Sequence, residues 1–70
     1  MIEREKLEKM KKNLLLNIIQ DTFKEDIRKT VEDGDWKDIS ELDRIIDIKL
    51  RYFIETRDAI SEFYNQRIYE

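Results

Sequence analysis

Residues 36–69, WKDISELDRIIDIKLRYFIETRDAISEFYNQRIY, carry the pattern that decides the fold of this chain. At 100° per residue, one set of apolar side chains falls on a single stripe of a helix. The stripe consists of Ile39, Leu42, Ile46, Leu50, Phe53, Ile60, Tyr64 and Ile68. Five neighbours, Ile45, Ile48, Tyr52, Ala59 and Phe63, widen the apolar arc to about 200°, whereas about 100° is enough to cover a core on one side. The stretch therefore predicts one long amphipathic helix with neighbours on two sides.

The N-terminal half of the chain predicts a second long helix. Residues 1–13, MIEREKLEKMKKN, are dense in helix-forming residues. The run LLLNII at residues 14–19 is apolar almost all the way around a helix, which indicates burial on all sides. This run is the predicted centre of the core.

The apolar face of this first helix changes direction after residue 18. One set is Leu7, Met10, Leu14 and Ile18; the other is Ile19, Phe23, Ile27 and Val31, turned by well over 90°. The helix either continues and wraps around its neighbours, or breaks near residues 20–22, where Thr22 and Glu25 fit a capping box. Since no Gly or Pro marks a break, we favour the continuous or kinked helix.

The segment VEDGDWKD at residues 31–38 predicts a tight turn, because it holds the only glycine of a chain without proline. Gly34 suits the left-handed position that closes a helix. Asp35 or Asp38 suits the N-cap of the next helix, and Glu41 completes a capping box with Asp38. Asp33, Asp35 and Asp38 are the kind of residues that bind calcium, but their order does not match an EF-hand loop, so no metal site is predicted.

These patterns predict an all-α fold, a long helical hairpin that forms a single domain over residues 1–70. The first helix is expected over about 3–32, the turn at 33–35 and the second helix over about 36–68. A break near residues 20–22 would give a three-helix arrangement instead.

Self-association is the expected source of stability. A chain of 70 residues buries a small share of its surface, and with no cysteine it has no disulfide or thiolate metal site to compensate. The wide apolar arc favours a homodimer in which two hairpins form an antiparallel four-helix bundle. In shape, though not in sequence, such a bundle is similar to the plasmid RNA-binding regulator Rop.

Composition argues against catalysis. The chain lacks histidine, the commonest general base, and has no glycine-rich loop or isolated carboxylate pair. We therefore expect a non-enzymatic interaction or regulatory protein without cofactor or small-molecule substrate, which binds a protein partner or itself through a helix face. No run resembles a signal peptide or could span a bilayer, so the expected location is cytoplasmic, with no membrane contact.

Polar and aromatic residues within the arc of the second helix are the best candidates for contact with a partner. The partner-binding candidates are Trp36, Lys49, Tyr52, Arg57, Phe63 and Tyr64. Lys49 lies near the centre of the arc, where its charge has to reach water, meet a carboxylate on the first helix or a partner chain, or face a gap in the core. An interface ion pair flanked by core aromatics is the favoured interpretation.

The alternative function is a nucleic-acid-binding adaptor or regulator of Rop-like shape, of plasmid or phage origin. Its candidate residues are Lys9, Lys12, Lys24, Arg28 and Lys29, which would form a local basic patch across a dimer. With 14 basic and 17 acidic residues interleaved throughout, the bulk charge does not favour this alternative.

The opposite face of the second helix alternates in charge. It reads Asp43, Arg44, Asp47, Arg51, Glu55, Asp58 and Glu62. Alternating signs at helical spacing are typical of a solvated face laced with ion pairs, so these carboxylates are not predicted to be catalytic.

Overall fold

The computed structural model describes residues 3–69, which form an antiparallel helical hairpin. Helix α1 spans Arg4–Asp33 and helix α2 spans Ile39–Ile68, each of 30 residues. No strand occurs in the described part of the chain. The Cα atoms extend over 54 × 19 × 10 Å, so the hairpin is long, narrow and one layer thick. The all-α hairpin expected from the apolar periodicity is confirmed.

Helix α1 runs without interruption through residues 20–22, so the described chain has two helices rather than three. Thr22 does not cap a new helix; its Oγ1 donates a hydrogen bond of 2.9 Å to the carbonyl oxygen of Ile18 in the preceding turn. The apolar face therefore changes direction within one continuous helix. Ile19, Phe23 and Ile27 are half-buried, whereas the earlier set at residues 7, 10, 14 and 18 stays exposed.

The prediction that residues 14–19 are buried on all sides is wrong for the hairpin. Leu14 and Ile18 are 61% and 50% exposed, while Leu15, Leu16 and Ile19 are half-buried. A hairpin gives α1 a single neighbour, and one neighbouring helix covers only one side of an all-round apolar segment. The run is therefore the centre of α1 but not of a closed core.

The turn is longer than the sequence indicates, because α1 ends at Asp33 and α2 begins only at Ile39. Gly34 closes α1 with φ 67°, in the left-handed region that glycine adopts without a steric cost. Asp38 is the N-cap of α2; its Oδ1 accepts a hydrogen bond of 2.8 Å from the Glu41 backbone N–H. This cap fixes the start of α2 about one turn later than residue 36.

The two helices meet along a narrow seam. The residue numbers of the cross-helix pairs Glu8–Arg67, Lys12–Asn65, Phe23–Phe53 and Asp26–Lys49 add up to between 75 and 77, which defines the register of the hairpin. Phe23 and Phe53 stack with ring centroids 4.6 Å apart. Leu42 is the one apolar side chain among residues 3–69 that is buried. The apolar arc of α2 is therefore only partly covered within one chain: its residues along the seam are half-buried, whereas Ile48, Tyr52 and Phe63 stay exposed.

Candidate functional site: an apolar groove beside the second helix

An open groove runs along one side of the hairpin, between α2 and the middle of α1. It consists of two adjoining recesses that share Asp26, Lys49 and Tyr52. The remaining lining residues are Ile19, Thr22, Phe23, Ile45, Ile48, Phe53 and Thr56. The floor is mainly apolar and the recesses are shallow, which suits a protein surface better than an enclosed small molecule.

Lys49 and Asp26 form the charged element of this groove. The Lys49 Nζ lies 2.9 Å and 3.1 Å from the two carboxylate oxygens of Asp26 on α1. The Lys49 side chain is 31% exposed, so its aliphatic part covers apolar surface while its ammonium group reaches the carboxylate. Of the three outcomes considered for this lysine, the structure shows a carboxylate on the first helix. Asp26 was not a sequence candidate, because only the register of the hairpin reveals that it lies opposite residue 49.

The apolar side of the groove continues along α2 as a stripe that the hairpin leaves open. This α2 stripe consists of Ile45, Ile48, Tyr52, Ala59 and Phe63, which helical spacing places on one face. Ile48, Tyr52 and Phe63 are 53%, 68% and 52% exposed. Exposed apolar side chains are ordinary when scattered, but a contiguous row marks an interaction surface.

The other partner-binding candidates lie outside the groove. Trp36 is in the turn, where its Nε1–H donates a hydrogen bond of 3.4 Å to the carbonyl oxygen of Val31 at the end of α1. Arg57 is exposed and contacts Asp58 at 3.4 Å; five residues beyond Tyr52, it lies about 140° away around the helix. Tyr64 is half-buried and makes an edge contact with Phe63 at 5.1 Å. The structure thus brings Lys49 and Tyr52 together, with Phe63 farther along the same stripe.

A second charged cluster joins the start of α1 to the end of α2, at the end of the hairpin opposite the turn, and sequence reasoning missed it. Glu8 is 3% exposed and accepts hydrogen bonds from Arg67 Nε at 3.2 Å and Nη2 at 3.4 Å. Lys11 lies 3.5 Å from the same carboxylate, and the Arg67 guanidinium lies over the Phe63 ring at 5.4 Å. Burial by itself raises the pKa of Glu8, but the hydrogen bonds and charges of Arg67 and Lys11 outweigh it and lower the pKa below its usual value.

This cluster predicts a pH dependence of stability. Because the pKa of Glu8 is lower in the folded chain, its ionised form favours folding. That contribution is complete above the usual glutamate pKa of about 4.3 and is lost as the pH falls through the folded-state value. We expect the wild type to melt at a higher temperature than Glu8→Gln at pH 7, and the difference to be smaller at pH 3, below the usual glutamate pKa.

The comparison is made by circular dichroism melting at both pH values. Asp43→Asn is the control, because Asp43 is exposed and makes no side-chain hydrogen bond or ion pair with residues 3–69. A Glu8→Gln difference that is the same at both pH values would show that the carboxylate charge does not stabilise the hairpin.

The five nucleic-acid candidates do not converge on one patch. Lys9 pairs with Glu5 at 3.1 Å, and the hydrogen bond and charge of Glu5 raise the pKa of Lys9. Arg28 is held between Glu25 and Glu32, so two carboxylates compensate its charge. Lys12 donates to the side chain of Asn65 at 3.0 Å. Lys24 and Lys29 are exposed, and helical spacing places them about 140° apart on α1.

The outward face of α2 differs from the prediction of an ion-pair-laced surface. Of its seven charged residues, only Asp58 makes an ion pair with the described part of the chain, to Arg57. Arg44, Arg51, Glu55 and Glu62 are exposed without such partners among residues 3–69. These charges are therefore available to a second molecule.

Two further features, a cluster of metal-ligating side chains and a membrane-spanning helix, do not occur among the described residues. Within residues 3–69, no three acidic side chains come together as a possible metal site, and neither helix is long and apolar enough to cross a membrane. Comparison with protein-family models, curated proteins and solved structures finds no match.

Proposed function

We propose that this chain is a small non-enzymatic interaction protein of the regulatory kind, which works by placing the apolar groove and the α2 stripe against a protein surface. One observation carries the proposal: the stripe that helical spacing gathers on one face of α2 stays more than half exposed at Ile48, Tyr52 and Phe63. Burying such side chains is the main favourable contribution to protein association.

The mixed character of the groove supports a protein as the bound molecule. An apolar floor with the Lys49–Asp26 pair at its side resembles the core and rim of protein interfaces, where aromatic anchors sit beside polar groups. A cytoplasmic location belongs to the same proposal, since the chain has no cysteine that would form disulfides in an oxidising compartment.

The test compares two matched substitutions on α2. Ile48→Glu lies in the α2 stripe, and Ile39→Glu lies at the start of α2, outside the α2 stripe; both isoleucines are largely exposed. We expect Ile48→Glu to weaken association at least tenfold, because a charge enters the contact surface, and Ile39→Glu to leave it close to wild type. Association is measured in two ways. The first is the solution mass by light scattering over a concentration range. The second is the binding of amphipathic helical peptides that were selected from a library for binding to the wild type.

Circular dichroism of both variants provides the control for folding, since each site is exposed. The proposal fails if the wild type stays monomeric and selects no peptide in preference to Ile48→Glu. It also fails if both substitutions reduce association equally, because the effect would then not belong to the stripe.

A further inference from the structure

We infer that the molecule bound by the α2 stripe is a second copy of this chain, with the two α2 helices antiparallel about a twofold axis close to residue 54. This inference rests on the proposed function and adds the identity and orientation of the partner. It is carried by the area left exposed, by the order of apolar residues along the stripe and by the charges beside it.

The exposed area matches what a dimer needs. The chain has an accessible surface of 5830 Å² at 8.7 kDa, whereas a compact monomer of that mass exposes about 4,700 Å². The Cα radius of gyration is 16.2 Å, against about 11 Å for a compact 70-residue domain. The elongated shape contributes to both numbers, and the surplus of about 1,100 Å² is comparable to the roughly 800 Å² that each partner buries in a standard interface.

The α2 stripe is close to a palindrome. In an antiparallel pair centred near residue 54, Ile45 lies opposite the partner's Phe63, and Ile48 lies opposite the partner's Ala59. Each contact therefore occurs twice. The two isoleucines at one end of the stripe, Ile45 and Ile48, meet a large and a small side chain at the other end. Tyr52 falls close to the axis, where two copies of its exposed ring would meet.

The flanking charges obey the same symmetry. On the side of the stripe away from α1, helical spacing aligns Arg44, Arg51, Glu55 and Glu62. Antiparallel pairing places Arg44 beside the partner's Glu62 and Arg51 beside the partner's Glu55. All four side chains are exposed and make no ion pair with residues 3–69. Opposite charges thus meet at four places around one axis, which is how flanking charges select partner orientation in paired helices.

The alternative symmetric arrangement, with both turns at the same end, gives a poorer match. It places α2 against the partner's α1 in the register of the hairpin itself. Since paired residue numbers add up to 75–77 in that register, Ile48 would lie opposite residues 27–29 of the partner, two of which are basic. Ile45 would lie opposite residues 30–32 of the partner, which include the partner's Glu32. Apolar side chains against charges cost free energy, so the antiparallel α2 pair is favoured.

The experiment is a charge exchange on the full chain. The double variants Arg44→Glu/Arg51→Glu and Glu55→Arg/Glu62→Arg each put like charges at all four contacts, and arginine and glutamate have similar helix propensities. We expect each variant alone to dimerise at least about 100-fold more weakly than the wild type. The equimolar mixture should form a heterodimer by native mass spectrometry, and the variant with all four substitutions should dimerise again.

The control Asp21→Arg/Asp43→Arg makes the same charge change as Glu55→Arg/Glu62→Arg. Asp21 lies on the face of α1 turned about 160° away from Phe23, and Asp43 lies on the side of α2 opposite the α2 stripe, so this variant should dimerise like the wild type. A wild-type chain that is monomeric at all concentrations overturns the inference of a second copy. A dimer whose mass is unaffected by the exchange, or double variants that do not combine, overturns the antiparallel α2 pair. If Ile48→Glu still abolishes association or peptide binding in either case, the proposed function stands and only this partner is wrong.

Discussion

Leu42→Ala is expected to destabilise the hairpin by about 3 kcal/mol, within the range for truncating a buried leucine. Leu42 is 9% exposed and lies in the first turn of α2, next to the capped start at Asp38. A core of this size supplies only a few kcal/mol in total, so the loss removes most of the stability. The melting temperature should fall by roughly 10–20 °C.

Ile39→Ala provides the matched control, because Ile39 lies three residues earlier in the same helix and is 70% exposed. Its truncation should change the free energy of unfolding by less than about 0.5 kcal/mol. Both variants are measured by urea unfolding at one fixed protein concentration, since association shifts apparent stability. If both substitutions lowered the free energy of unfolding equally, the burial of Leu42 near the turn would not be what stabilises this end of the hairpin.

The second large effect is expected at the stacked pair in the middle of the seam. Phe23 and Phe53 are both half-buried, with ring centroids 4.6 Å apart and ring planes 20° apart. Phe53→Ala should cost about 3 kcal/mol, because it removes a large ring from the seam between α1 and α2. Phe23→Ala should cost a similar amount.

A double-mutant cycle separates the contact from general loss of burial. We expect a coupling energy of about 1 kcal/mol between Phe23 and Phe53, beyond the sum of the single effects. The control cycle pairs Phe23 with Phe63, whose ring contacts Tyr64 instead. That cycle should be additive within about 0.5 kcal/mol. Additivity of the Phe23–Phe53 cycle would contradict the stacked register of the hairpin.

The candidate site was partly accessible to sequence reasoning. Lys49 and Tyr52 stand out because a charge and an exposed aromatic side chain interrupt or border an apolar arc, and both line the groove. Asp26 and Glu8 do not stand out, since each is one acid among many on a charged helix. Their roles depend on which residue of α2 lies opposite, and pattern within one helix carries no information about that register.

The sequence by itself determined the elements of this fold. Apolar spacing of 3.6 residues predicts two long helices, the absence of Gly and Pro within them favours continuous ones, and Gly34 marks the end of the first. The choice between Asp35 and Asp38 as the N-cap of the second helix stayed open until the structure showed Asp38. These are local properties, because helix formation and capping depend on residues within one or two turns.

Only the tertiary structure decided which part of each apolar face is covered. α1 turns Ile19, Phe23 and Ile27 toward α2 and leaves its earlier set, including Leu14, exposed. The same packing leaves Ile48 and its neighbours on α2 open, and places Lys49 against a carboxylate. The physical reason is that a helix covered by one neighbour buries one stripe, and the register of the hairpin selects which of its two stripes that is.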